Sequence, residues 1–207
     1  MPGRTFASPQ LGGTQDVALR TWLASQGLTT DPPGGGDVSI SPRDDAQILE
    51  SFVAGTLAGA WVPEPWATRL VLEGGGTVLV DERTLWPEGR YVTTHLVVRA
   101  AMLSERTGDV EALLRARVAA TAWMAENPAA AQAAVIDGIE RATGKRISTE
   151  VLSRAWGNLE FTTDAMPASL RRSAADAEAV GLLALEGADL GPPSRLTGVC
   201  WRTTLSP

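Results

Sequence analysis

"RTFASPQLGGTQDVALRTWLASQG", residues Arg4 to Gly27, decides the fold. Arg4 to Ala7 has the composition of a short strand, and Pro9, Gly12 and Gly13 then make a turn. From Thr14 to Gln26 the apolar residues Leu19, Trp22 and Leu23 recur at the i, i+3, i+4 spacing of a helix face. Thr14 is placed to act as N-cap, and Gly27 to stop the helix. A strand that turns through glycines straight into a helix is the opening of a βα unit.

The pattern repeats outward from there. Asp31-Pro-Pro-Gly-Gly-Gly36 is a loop, and Val38 to Ser41 is a short strand. Asp44 to Ala54 predicts a second helix with Ile48, Leu49 and Phe52 inward and Gly55 at its end. Leu57 to Val62 reads as an apolar strand. Pro63-Glu64-Pro65 opens a third helix running to about Leu72, with Pro65 suited to its first turn. Gly74 to Gly76 breaks that helix, and Thr77 to Val80 reads as a further strand. Strand and helix thus alternate over residues 4–80, and right-handed crossovers predict a parallel sheet with helices on its faces.

The texture changes after Trp86-Pro-Glu-Gly89. Tyr91 to Val98 predicts one more strand, and from Arg99 to Leu183 nearly everything reads as helix. Val110, Leu113, Leu114 and Val118 form a stripe on a long helix ending near Asn127-Pro128. Ala129 to Ala142, Ser148 to Trp156 and Pro167 to Leu183 follow as further helices. Residues 187–207 carry Gly, Pro, Ser and Thr without period and read as an irregular tail. The second half therefore offers many apolar helix faces and a single strand to receive them.

Composition narrows the chemistry. The 207 residues are 44% hydrophobic and carry a net charge of −6, with Lys and Arg scattered. The absence of a basic stripe argues against nucleic acid as a partner. A lone cysteine, Cys200, excludes an internal disulfide framework and a cysteine zinc site. A lone histidine, His95, excludes a histidine cluster within the chain, so no metal or cofactor is expected. No apolar run reaches membrane-spanning length, and Met1-Pro-Gly-Arg4 lacks the apolar core of a signal peptide.

Four segments carry a resemblance: "TFASPQLGGTQDVALRTWL", "FVAGTLAGAWVPEPWATRLV", "GGTVLVDERTLWPEGRYVTTHLVV" and "FTTDAMPASL". In order, from about Arg4 to Leu183, the chain resembles the substrate-binding proteins of ABC transporters of the nitrate, sulfonate and taurine type. That group includes the pyrimidine-precursor binders related to thiamine synthesis. The resemblance implies a type II periplasmic-binding-protein-like α/β fold, whose lobes close on a small ligand. Residues 4–88 would be a complete α/β ligand-binding lobe, and 91–183 the returning, mainly helical half of the other. The opening half of that second lobe and the export signal have no counterpart here, so a truncated chain is expected. The tail at 187–207 departs from the family pattern and leaves Cys200 and Trp201 without an inherited role. The implied partners are a small-molecule anion or zwitterion and permease subunits in the membrane. The implied place is the periplasm or cell envelope, or the cytoplasm if the start of the chain is genuine.

The opening stretch has the means to hold an anion. A helix N-terminus presents free N–H groups and partial positive charge, and accepts an oxyanion without a lysine. Gln10, Gly13, Thr14 and Gln15 would form that cradle, with the glycines allowing close approach. The plainer alternative is that Thr14 caps the helix and the glycines turn the chain. In "AWVPEPWATR", Trp61 and Trp66 flank Glu64 at a strand-to-helix junction, where ligands bind in open parallel sheets. Glu64 would accept hydrogen bonds from an amine, and an indole would stack on a ring or cover an alkyl part. The acid speaks against nitrate and for an aminosulfonate or aminopyrimidine. The alternative is core tryptophans and a Glu64 that favours the helix start. His95, near the hinge with Thr93 and Thr94, is expected as a satisfied interior histidine. Thr162, Thr163 and Asp164 are expected to cap the last long helix.

The expected role is thus capture of an aliphatic sulfonate, taurine or nitrate-class ligand in an interlobe cleft, without catalysis. A pyrimidine-precursor synthase on the same fold would need a nucleophile, metal ligands or a histidine-rich stretch. The effector domain of a transcription regulator would need a helix-turn-helix, which the sequence does not contain.

Overall fold

A computed structural model describes residues 3–32 and 34–184. The tail at 187–207, with Cys200 and Trp201, lies outside the described residues. The element order is β1 (Arg4–Ser8), α1 (Thr14–Ser25), β2 (Val38–Pro42), α2 (Asp45–Val53), β3 (Gly59–Ala60) and α3 (Trp66–Leu72). Two 3-10 turns, Glu82–Leu85 and Pro87–Gly89, come next. They are followed by α4 (Met102–Glu105), α5 (Thr107–Glu126), α6 (Pro128–Thr143), α7 (Thr149–Trp156) and α8 (Pro167–Ala179). The chain is an α/β protein with a small parallel sheet and many helices. The described residues form two compact units, 3–93 with 166–184, and 94–165.

In the first unit the sheet has three strands in the order β2-β1-β3, both pairings parallel. β1 sits in the centre, with Arg4 to Ser8 in register with Val38 to Pro42 on one side. On the other side Phe6 and Ala7 pair with Gly59 and Ala60. Alternate residues of β1 face opposite sides of the sheet. Phe6, Val38 and Ile40 bury against Leu19 and Leu23 of α1. Ala7 buries on the opposite face with Ile48 of α2, Leu57, and Leu70 of α3. The sheet is therefore covered on both faces, as parallel sheets are. Gly59 is set by close approach: a Cβ there would stand 2.7 Å from Phe6 Cε1. α8 packs along α1, and Ser169 Oγ accepts the Val92 N–H at 3.0 Å.

The second unit is helical. α6 and α7 pack together, with Ala131, Ile136, Val151, Leu152 and Ala155 buried. Ser148 caps α7 by accepting the Val151 N–H at 3.1 Å. His95 Nε2 hydrogen-bonds the Ala165 carbonyl at 3.0 Å, the satisfied histidine expected from sequence.

Several expectations need correction. Thr77–Val80 and Tyr91–Val98 belong to no sheet, since no strand among the described residues lies beside them. Val78, Leu79 and Val97 are accordingly exposed at 67%, 68% and 77%. The strand expected over Leu57–Val62 shrinks to Gly59–Ala60, which pair with Phe6 and Ala7 of β1. The helix expected to Leu183 stops at Ala179, and Met166 precedes its first residue where Thr162–Asp164 were expected as the cap.

Candidate functional site

The strand order points to a candidate site. After β1 the chain enters α1 on one face of the sheet, and after β3 it enters α3 on the other. A crevice opens outside the carboxyl ends of two neighbouring parallel strands whose exits diverge in this way, and ligands bind at such switch points. Gln10, Gly13, Thr14 and Gln15 lie on the exit from β1, and Trp61, Glu64 and Trp66 on the exit from β3. Both sequence-derived groups therefore stand at one edge of one sheet.

The turn at 9–13 is open to solvent. Gln10, Leu11, Gly12 and Thr14 are exposed. Gly13, not Thr14, is the N-cap of α1, and no side chain caps it. Thr14 is already helical, and its hydroxyl donates to Gln15 Oε1 at 3.0 Å. The Gly13 N–H is spent on the Gln10 carbonyl at 3.1 Å. Gly12 adopts φ +72, a region that favours glycine. The amides of Thr14 and Gln15 belong to the first helical turn, which leaves its N–H groups without intrahelical acceptors.

Asp16 ties that turn together from below. Its carboxylate is fully buried and accepts from Ser8 Oγ at 2.8 Å, the Gly12 N–H at 2.9 Å and Arg20 Nε at 3.1 Å. Arg20 is 1% exposed, and its Nη1 and Nη2 have no hydrogen-bond partner. The pair leaves the base of the turn electrically neutral, and such a buried pair is costly to break on one side only. Sequence reasoning passed over both residues. The i, i+4 spacing of Asp16 and Arg20 was a visible signal.

The other exit is anchored differently. Trp61 packs on the α1 side against Trp22, ring centroids 5.9 Å apart. Its Nε1 donates to Glu82 Oε2 at 2.6 Å, and Trp86 Nε1 donates to Glu82 Oε1 at 3.2 Å. Glu64 Oε2 accepts the Thr68 N–H at 3.0 Å and so serves the first turn of α3. The Arg69 guanidinium stands 4.5 Å over the Trp66 ring. Burial, the largest effect, pushes the Glu82 carboxyl up, against the indole hydrogen bonds that pull it down. Burial and the nearby Glu82 charge raise the Tyr91 hydroxyl. Tyr91 stacks on Trp86 at 5.4 Å, and Arg172 covers the Trp86 ring at 4.5 Å. A cavity of about 10 Å³, room for roughly one water, lies between Thr14 and Val17 of α1 and Glu82, Trp86, Tyr91 and Asp176. Glu82, Trp86 and Tyr91 were not singled out from sequence, since nothing local ties them to Trp61.

This architecture defines an α/β protein with a polar switch-point edge. The profile of the NMT1-like family matches residues 2–137, and the chain belongs to that family. It is 33% identical over 121 residues to the nitrate/nitrite binding protein NrtA of Synechococcus elongatus, covering 57% of this chain and 25% of that protein. It is 26% identical over 152 residues to the NrtA protein of a Nostoc species, covering 72% of this chain and 32% of the relative. A 71-residue stretch is 32% identical to the bicarbonate transport ATP-binding protein CmpC of Synechocystis, covering 34% of this chain and 10% of that protein. The chain thus spans a quarter to a third of these NrtA proteins and a tenth of CmpC. No solved structure matches it.

Proposed function

We propose that the chain is part of the solute-binding component of an ABC importer and holds a small oxyanion of the nitrate class at the carboxyl edge between β1 and β3. The observation that carries this is the strand order β2-β1-β3, which puts the polar exits from β1 and β3 at the carboxyl ends of neighbouring parallel strands, the kind of switch point where ligands bind. The names of the relatives support the ligand class, since they concern nitrate, nitrite and bicarbonate. The objection raised by Glu64 weakens, because its carboxylate engages the Thr68 amide. The Asp16 charge is paired with Arg20. The backbone amides of Thr14 and Gln15 and the Gln15 side-chain amide then supply uncharged donors, and many modest bonds suit a carrier that must release its load. Binding, with no bond made or broken, is the activity this reading assigns.

In the same reading, residues 4–88 form the ligand-binding lobe of a type II periplasmic-binding fold, and 91–183 the returning half of the other. Permease subunits are the membrane partners, and the periplasm or cell envelope is the place of action. A second reading, capture of an aliphatic sulfonate or taurine, draws on Trp61 and Trp66 beside Glu64, which suit an alkyl chain and an ammonium group. Calorimetry with nitrate, bicarbonate and taurine separates the two. Nitrate is expected to bind, and Thr14→Ala with Gln15→Ala to weaken it about tenfold or more, near 1.4 kcal/mol. Heat with taurine alone would favour the second reading, and no heat with any of them would overturn both.

A further inference from the structure

Glu82 stands where the two exits and the following segment meet, and its hydrogen-bond partners are all neutral donors: the indoles of Trp61 and Trp86 and the Tyr91 hydroxyl. We propose that Glu82 is a positioning residue for anion capture, a clasp whose ionised carboxylate holds Trp61 to the Trp86–Tyr91 pair and whose protonation lets one of them go.

The reason lies in counting donors and acceptors. An ionised carboxylate only accepts, and its oxygens have room for several donors. A protonated carboxyl carries an O–H that must itself donate, so it cannot face three donors on equal terms. The residues it joins are far apart in the chain but close to the candidate site. The Trp61 backbone N–H donates to the Ala7 carbonyl at 2.9 Å, continuing the β3 ladder beside β1. Its ring leans on Trp22 of α1. Trp86 and Tyr91 share with Thr14 the small cavity at the start of α1. Loosening the clasp therefore frees the ring that fixes the exit from β3.

The charged surroundings are mixed. Asp81 is the chain neighbour of Glu82 and is paired with Arg83 at 2.6 Å. Glu64 lies on the β3 exit. From α8, Arg172 lies over Trp86, and Asp176 lines the same cavity. α1 contributes the uncharged Thr14, Val17 and Ala18 there. Burial, the largest effect, raises the Glu82 carboxyl from its ordinary value, against the hydrogen bonds from Trp61, Trp86 and Tyr91 that lower it.

The anion consequence rests on the function proposed above, whereas the clasp itself does not, and the test keeps them apart. The indole N–H signals of Trp61 and Trp86, assigned with Trp61→Phe and Trp86→Phe, are followed through pH by NMR in the full chain. Both are expected to move with a single shared midpoint above that of free glutamate, and to stop moving in Glu82→Gln. Signals that do not titrate in the parent chain, or that titrate unchanged in Glu82→Gln, overturn the clasp. The parent-chain titration decides this even if Glu82→Gln does not fold. Nitrate affinity by calorimetry is expected to fall about tenfold in Glu82→Gln. An unchanged nitrate affinity overturns the positioning role. Titrating indoles in a parent chain that binds no nitrate would remove the oxyanion reading and the positioning role with it, and would support the clasp as such.

Discussion

The two units of this chain solve the same problem unequally. In the first, a central strand sends Phe6 to one face and Ala7 to the other, and helices cover both. Leu19, Leu23, Val38, Ile40 and Ile48 are each at most 2% exposed. In the second, the long helix α5 carries Val110, Leu113, Leu114 and Val118 at helical spacing, yet it buries only Val110. Leu113, Val118 and Trp123 each remain 44% exposed. Periodicity orients an apolar face, but burial depends on a partner for that face. The lesson is about energy as well as shape, because an apolar side chain stabilises roughly in proportion to the area it removes from water.

Mutations can break that contrast. The largest effect is expected at the buried pair: Asp16→Ala should cost about 3–5 kcal/mol, by leaving the Arg20 charge uncompensated. Next come the cores on the two sheet faces, where Leu23→Ala or Ile48→Ala should cost about 2–5 kcal/mol. Ser148→Ala should remove the cap of α7 at about 1 kcal/mol. Leu113→Ala, on the uncovered stripe, should stay within about 0.5 kcal/mol. Denaturant unfolding measures all four. A Leu113 cost equal to that of Leu23 would erase the difference between the units.

Acid titration sharpens the comparison within the first unit. The Asp81 carboxyl is held low chiefly by its hydrogen bonds with Arg83, so its contribution is present above the ordinary carboxylate pKa and is lost as pH falls. Glu82, next to it, is raised by burial, so its contribution is present below the ordinary value and is lost as pH rises through the raised one. Asp81→Asn should therefore destabilise most at neutral pH, and Glu82→Gln least there. Unfolding free energies at acid and neutral pH check both signs.

How much of this was legible follows from distance along the chain. α1 to α3 and α5 to α7 were visible because helix periodicity, caps and glycine stops are local. β1 and β2 were found to within a residue, since each stands between clear turns. Thr77–Val80 and Tyr91–Val98 misled because a strand is completed by its neighbours, which a short apolar run does not specify. At the site, the residues of both exits could be named. The placement of the Thr14 cap failed because Asp16, two residues on, reaches back to the Gly12 amide and fixes the turn from below. The Trp61–Glu82 bond joins residues 21 apart through tertiary packing alone, which no local pattern encodes.

The measurement that goes most directly to the central claim is a nitrate titration of the isotopically labelled chain followed by NMR. The account predicts saturable shifts concentrated at the amides of Gly12 to Gln15 and at Trp61 to Trp66, with the helices of the second unit unmoved. Shifts confined to the second unit, or none up to millimolar nitrate, would contradict it.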